Sequence, residues 1–290
     1  MTNWTAADIS DQIGRTFVVT GANSGLGAST ARALAGAGAS VVLACRNTAK
    51  GEQAAATMPG QVEVRQVDLA DLSSVRSFAA GIDRIDVLVN NAGIMAVPPG
   101  KTVDGFERQI GTNHLGHFAL TGLLFPKISD RVVTLSSGAH RMGKINIDDL
   151  NWERRRYGRW AAYGQSKLAN LMFAYELQRR LAAAKSPVKS LAAHPGYAST
   201  ELQSHTESVQ DKVMALGNRL IAQSADMGAL PELYAATVPT LRGGEFIGPH
   251  GRLGLNGYPK IVGSNKASRD EAVAAKLWTL SEELTGVSYP

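Results

Sequence analysis

Short apolar runs alternate with longer helical stretches through most of this chain, and that alternation narrows its fold more than any other feature. RTFVVT at 15–20 is a β-like run ending at Gly21, and LGASTARALAGAGA at 26–39 is helical in character. SVVLAC at 40–45 and QVEVRQV at 61–67 read as strands on either side of an Ala-rich helix at 48–58. A helix at 71–84, a buried strand at 86–91, a long helix at 104–127 and a strand at 131–136 continue the series. A second long helix at 161–185, a strand at 188–194 and a last strand at 244–248 follow. Strands separated by helical crossovers pair in parallel. The pattern predicts an α/β fold with a doubly wound parallel sheet. It forms one domain over 1–290, with a looser cap at about 198–225 and a C-terminal helix at 269–284.

With 290 residues, 44% of them hydrophobic, the chain can build a large core without dividing. A net charge of +5 is modestly basic. Its densest basic run is Arg154-Arg155-Arg156 with Arg159, beside Trp152, Tyr157 and Trp160. Basic groups interleaved with aromatics suit nucleic acid, but the favoured reading is a solvated loop whose aromatics pack down, with no nucleic-acid partner. Cys45 is the only cysteine, which excludes an internal disulfide and argues against a cysteine metal site. His114, His117 and His140 lack acidic or cysteine neighbours, so no metal is expected. The opening residues MTNWTAADISDQIG contain acids and no apolar run, and no stretch approaches a spanning helix. These features point to a cytoplasmic location without a membrane anchor.

The first strand-to-helix turn carries Gly21, Gly25 and Gly27. Glycines there admit a pyrophosphate close to the backbone, and the following helix aims its unpaired N–H groups at it. Such turns are common, and it is the context, a turn after a strand that opens the first βαβ unit, that gives this one weight. At the end of the second strand, where an NAD enzyme places an acid, stand Cys45 and Arg46. A guanidinium there suits a 2′-phosphate, so NADP is expected over NAD. Asp71 suits the cap of the next helix, and Asn90 the tying together of strands.

Tyr163 and Lys167 lie four residues apart in the helical stretch, so their side chains leave one face. A phenol titrates near ~10, and a fixed ammonium beside it is expected to move that value toward the working range. Bringing it to ~7 corresponds to about 4 kcal/mol.

TGANSGLG at 20–27, NNAG at 90–93, Asn113 in TNHLGHF, Ser137 in LSSGAH and YGQSK at 163–167 together resemble the short-chain dehydrogenase/reductase family, in order and spacing, over nearly the whole chain. The resemblance implies a Rossmann-like sheet. Ser24, where the larger sugar-nucleotide epimerases carry glycine, argues for a dehydrogenase. It further implies that Gly21, Asn23, Ser24, Gly25, Leu26 and Gly27 form the dinucleotide turn, and that Asp68 and Leu69 cradle the adenine. Asn91, Ala92 and Gly93 then contact the cofactor ribose, and Pro195, Ala198 and Thr200 support the nicotinamide. In the reacting centre Tyr163 is the general acid/base and Lys167 grips the ribose and biases the phenol. Ser137, preferred over Ser136, steadies the substrate oxygen, and Asn113 holds a water linked to Lys167, although a mid-helix kink would also account for Asn113. His194 is read as a packed strand-end histidine.

NNAGIM, TVDGFERQIGTNHLGHF, HPGYAST and LWTLSEELTG resemble the branch of retinol dehydrogenases and their soluble relatives. This implies a small lipophilic carbonyl or alcohol as substrate, handled by an NADP(H)-dependent oxidoreductase. A catalytically idle redox sensor or scaffold on the same fold is the alternative, disfavoured because all four reactive positions are kept. Ser137 and Tyr163 are separated by 25 residues, about twice the spacing of compact family members. This insertion is expected to lie against the second long helix and flank the cleft. It predicts a monomer, or a dimer that avoids the usual four-helix interface.

Overall fold

The computed structural model describes residues 3–197 and 223–289. Among these residues eight strands form one sheet in the order β3-β2-β1-β4-β5-β6-β7-β8. These are β1 (Thr16–Thr20), β2 (Ser40–Cys45), β3 (Gln61–Gln66), β4 (Ile85–Asn90), β5 (Ile128–Leu135), β6 (Lys189–Ala193), β7 (Phe246–Pro249) and β8 (Pro259–Ile261). The first seven run parallel, and β8 closes the edge antiparallel to β7. Sequence order reverses between β1 and β4, so a crevice opens beyond their C-terminal ends.

Alternate residues of the central strands feed two cores. Phe17 and Val19, with Val87 and Val89, face helix α1 (Gly25–Gly36) and the helix Ala225–Thr237. Val18 and Leu88 face the opposite side. There α3 (Leu72–Ala80), α5 (Gly116–Leu124) and α6 (Arg159–Ala183) cover the sheet. The period of two in each strand is what lets one sheet bury both faces. On the second side Trp278, in the helix Glu271–Thr285, and Tyr289 join Phe118 of α5 and Phe173 of α6 in one aromatic cluster. The Tyr289 hydroxyl donates to the Phe118 carbonyl at 2.8 Å.

Three elements differ from the sequence reading. The helix expected over 104–127 begins only at α4 (Arg108–Ile110), after Glu107 accepts hydrogen bonds from the amides of Gln109 and Ile110. It then passes through a π turn, Gly111–Leu115, before continuing as α5. The helix Ala225–Thr237 and strand β8 were not anticipated. That helix is buried on most sides and contains Pro231, so it shows neither an amphipathic stripe nor an uninterrupted helical run. Strand β8 has three residues and starts with a proline. Of the expected cap at 198–225, only 223–225 fall within the described residues, and there Ser224 caps the helix Ala225–Thr237.

The insertion between Ser137 and Tyr163 packs on α6. Gln165 donates to the Leu150 carbonyl at 2.9 Å, and Leu150 shares a core cluster with Leu168 and Met172. Arg155 stacks over Trp152 at 3.6 Å from the ring centroid and pairs with Asp149 at 3.2 Å. Trp152, Tyr157 and Arg155 are thus spent on packing, while Arg154 and Arg156 stay exposed and Trp160, expected to pack down, is exposed at the rim of the cavity.

Candidate active site

The crevice holds a cavity of about 680 Å³ that runs from the end of β2 to the loop after β7. Its floor begins at the turn after β1. Gly21 has φ 68°, a left-handed conformation suited to glycine. A side chain at Gly27 would sit 2.5 Å from Asn91 Nδ2 and 2.6 Å from the Gly21 carbonyl, so turn, helix and β4 meet with no space for one. Ser24 occupies the N-cap of α1 without a side-chain cap bond, which leaves the helix's first amides for a ligand. Gly21, Asn23, Ser24, Gly25, Leu26 and Gly27 all border the cavity, as do Asn91, Ala92 and Gly93. Asn91 also braces the turn, its side chain donating to the Thr20 carbonyl at 2.6 Å. Asn90 is fully buried and donates to Thr121 at 2.9 Å, tying β4 to α5.

At one end of the cavity lie Arg46, Asn47 and Lys50, with Asp68 and Leu69 alongside. Among the described residues neither Arg46 nor Lys50 makes a side-chain hydrogen bond or ion pair. Lys50 was missed in the sequence, although its spacing from Arg46 and the Asn47 cap at 3.0 Å place both cations on one side of a helix start. Burial, reinforced by Glu52, pushes the Cys45 thiol up, so it is a poor nucleophile. Asp71 caps α3 through the amides of Ser73 and Ser74. Two cations without side-chain partners, a glycine-walled turn and free helix amides fit a phosphate-bearing dinucleotide.

Midway, Ser137, Tyr163 and Lys167 converge. Ser137 caps a short 3-10 turn, Gly138–Met142, its hydroxyl accepting from the Ala139 N–H at 3.2 Å, and it borders the cavity beside the Tyr163 phenol. The Ser136 hydroxyl is committed elsewhere, donating to the Lys167 carbonyl at 2.8 Å. Lys167 Nζ lies 5.9 Å from the Tyr163 ring centroid and 3.3 Å from the Leu135 carbonyl. The phenol does not move in the direction the sequence suggests. Burial pushes Tyr163 up to about 12, outweighing the lowering influence of the nearby Ser137 hydroxyl, and pushes Lys167 down to about 8. Desolvation of both groups exceeds what one ammonium supplies at that distance.

Asn113 is fully buried behind this centre and does not border the cavity. It sits in the π turn, and its amide staples Ile94, accepting from Ile94 N–H at 2.8 Å and donating to the Ile94 carbonyl at 2.9 Å and to Ser166 at 2.9 Å. His117 accompanies it, bonded to the Asn113 carbonyl at 3.0 Å and to Thr20 at 2.9 Å. Asn113 thus lies in the kink, and its side chain is spent on Ile94 and Ser166. Pro195 borders the cavity, and its carbonyl accepts from Gln223 at 2.6 Å. Ala198 and Thr200 lie outside the described residues. Among the described residues no group of three His, Cys, Asp or Glu converges to hold a metal, and no helix is long and apolar enough to cross a membrane.

Sequence reasoning also missed Glu232. It is buried in the helix Ala225–Thr237, accepts a hydrogen bond from Thr30, and leaves Oε2 unpartnered. Burial pushes it up to about 8, against the opposing pull of Thr30 and Lys167. Its folded value exceeds the ordinary 4.5, so its stabilising share is full below that value and is lost as pH rises toward about 8. Between pH 5 and 8 this group alone should cost about 3 kcal/mol. Chemical denaturation should therefore show a smaller pH-dependent loss in Glu232→Gln than in the wild type; equal slopes would refute the assignment.

Comparison with known proteins agrees with this geometry. Residues 15–211 match the family model described as short chain dehydrogenase. The chain is 42% identical over 294 residues to retinol dehydrogenase 13 of Homo sapiens, an alignment covering 96% of this chain and 86% of that one. It is 40% identical over 294 residues to retinol dehydrogenase 12 of Homo sapiens, covering 95% and 88%. A crystal structure of an uncharacterized protein from Mycobacterium paratuberculosis aligns with a TM-score of 0.88 at 58% identity, covering 100% of both chains. The chain belongs to the short-chain dehydrogenase/reductase family, in its retinol-dehydrogenase-like branch. It is an oxidoreductase acting on CH–OH groups, in a family that uses NAD or NADP.

Proposed function

We propose that this protein interconverts a lipophilic aldehyde or ketone and its alcohol with NADP(H), Tyr163 acting as general acid/base. The observation that carries this reading is the convergence of Ser137, Tyr163 and Lys167 on the floor of one continuous cavity. That cavity starts at the unpaired Arg46 and Lys50 and ends among Met95, Trp160, Tyr197 and Leu255. The unpaired cations favour a 2′-phosphate, and the apolar end favours a lipophilic substrate. When bound, the nicotinamide supplies or takes the hydride. Tyr163, holding its proton at neutral pH, donates it to the carbonyl oxygen in reduction. Ser137 hydrogen-bonds the same oxygen as charge develops. Lys167 grips the ribose hydroxyls, and Asn113 keeps the Ile94 segment in place beside a water path to Lys167. Pro195, at the cavity wall, supports the nicotinamide, and the roles expected of Ala198, Thr200 and the cap at 198–225 fall on residues that lie almost wholly outside the described ones. An idle sensor has no observation in its favour. The test is turnover of a carbonyl panel with NADPH and with NADH; no turnover with either cofactor would defeat the proposal.

A pH profile gives a sharper check. Lys167 is charged below about 8 and loses its proton above it, so reductase kcat/KM should fall as pH rises through that value. Glu232 helps to keep Lys167 charged, so Glu232→Gln should shift the falling limb to lower pH. A limb unmoved by that substitution would remove Glu232 from the account.

We further propose a cytoplasmic protein that is a monomer, or a dimer through a surface other than α5 and α6. Those helices are covered by the insertion and by Trp278 and Tyr289 of the same chain. A two-fold contact needs a patch free to meet its own copy. Light scattering should show one of these states, and a tetramer built on α5 and α6 would contradict it.

A further inference from the structure

A second chamber, of about 310 Å³, opens beyond the C-terminal ends of β6 and β7. It shares three walls with the main cavity: Arg141, His194 and Gly254 border both. Lys260 and His250 also line it, and among the described residues no acid does. Among the described residues neither Arg141 nor Lys260 forms an ion pair or a side-chain hydrogen bond. Both are exposed, and what sets them apart from other solvated cations is that they share one recess.

His194 supplies the second, independent observation. It is only 8% exposed, and its Nδ1 accepts from the Gly196 N–H at 3.3 Å. Burial, reinforced by the charges of His140 and Arg141, pushes it down to about 4, so the ring is neutral at physiological pH. A neutral ring that accepts at Nδ1 carries its proton on Nε2. That donor has no acceptor among the described residues, and it lies between the faces of Gly248 and Gly254, where a side chain at 248 would strike it at 2.1 Å. Nε2–H thus opens on a recess that Arg141 and Lys260 also line, and three donors around one recess suit an anionic oxygen. The position is chemically relevant, because Arg141 lies on the 3-10 turn that Ser137 caps, about 8 Å further along it.

We propose that this chamber seats a carboxylate or phosphate carried by the substrate, held by Arg141, Lys260 and His194 Nε2–H while the carbonyl end lies at Tyr163. This rests on the reading of the main cavity as the reductase site. The favoured substrate class is then an amphiphile, a carbonyl on an apolar chain that ends in an acid, rather than a neutral aldehyde.

The test compares straight-chain ω-oxo acids of graded length with the alkanals of the same length, using NADPH. At the best length the acid should exceed the alkanal in kcat/KM by about tenfold or more. Arg141→Ala and Lys260→Ala should each collapse that ratio, mainly by raising KM for the acid, and Lys260→Glu should invert it. Equal kcat/KM for acids and alkanals at every length would overturn the inference and leave the reductase assignment standing. Thermal shift with unreactive alkanoates in the presence of NADPH gives a readout free of turnover. If no carbonyl is reduced but alkanoates stabilise the wild type and not Lys260→Ala, the reductase reading fails and the anion site is upheld. Stabilisation by inorganic phosphate as strong as by alkanoates would mark an ion site with no link to a substrate tail, and would also overturn the proposal.

Discussion

Tyr163→Phe is expected to remove nearly all turnover, by roughly a hundred- to ten-thousandfold, while NADPH affinity stays within about twofold of the wild type. The substitution deletes one hydroxyl from a side chain that is 5% exposed, and keeps the ring that meets Trp160 edge-on at 6.2 Å. Lys167, the proposed ribose anchor, is untouched. Loss of rate without loss of cofactor binding separates a missing proton donor from a damaged fold. Lys167→Ala should lower both, since it removes a buried cation from the cofactor side of the same site. Stopped-flow reduction of any carbonyl substrate, with fluorescence titration of NADPH, distinguishes the two variants. Robust turnover by the Phe variant would end the role proposed for Tyr163.

Arg46→Ala should weaken NADPH by roughly ten- to a hundredfold, since a charge-assisted hydrogen bond contributes about 1.5–3 kcal/mol. NADH binding should barely change. Lys50→Ala should weaken NADPH as well, because both cations border the same end of the cavity and neither has another partner among the described residues. The double variant should fall short of the sum, as the two would share one phosphate. A wild type that prefers NADH in titration would reverse the reading of this end of the cavity.

Much of this protein could be read from residues whose local chemistry matches their place in the fold. Gly21 in the turn after β1, Gly27 in the first turn of α1, Asn90 as a tie and Asp71 as a cap were legible because turns, strand ends and caps impose local rules. Tyr163 and Lys167 were legible because helical spacing alone puts them on one face. The helix Ala225–Thr237 was hidden, since burial on most sides removes the polar face that periodicity needs. Glu232 was hidden with it: nothing in LPELY marks a carboxyl that will lie beneath Thr30. The direction of the Tyr163 shift depends on how much water surrounds the phenol, a property of the assembled fold and not of the four-residue spacing. Likewise, the chamber behind His194 exists only because β8 turns back beside β7.

The aromatic cluster that joins Tyr289 and Trp278 to Phe118 and Phe173 has a kinetic consequence. The hydrogen bond from Tyr289 to Phe118 spans 171 positions, and closing a loop that long costs about 4–5 kcal/mol before any contact repays it. Local βαβ units can form first, at lower entropic cost. The segment carrying Trp278 and Tyr289 is therefore expected to dock late, onto a sheet already built. Until it does, Phe118 and Phe173 lack their outer cover, and intermediates at that stage are the aggregation-prone ones. Substitutions at Trp278 or Tyr289 should accordingly speed unfolding far more than they slow folding.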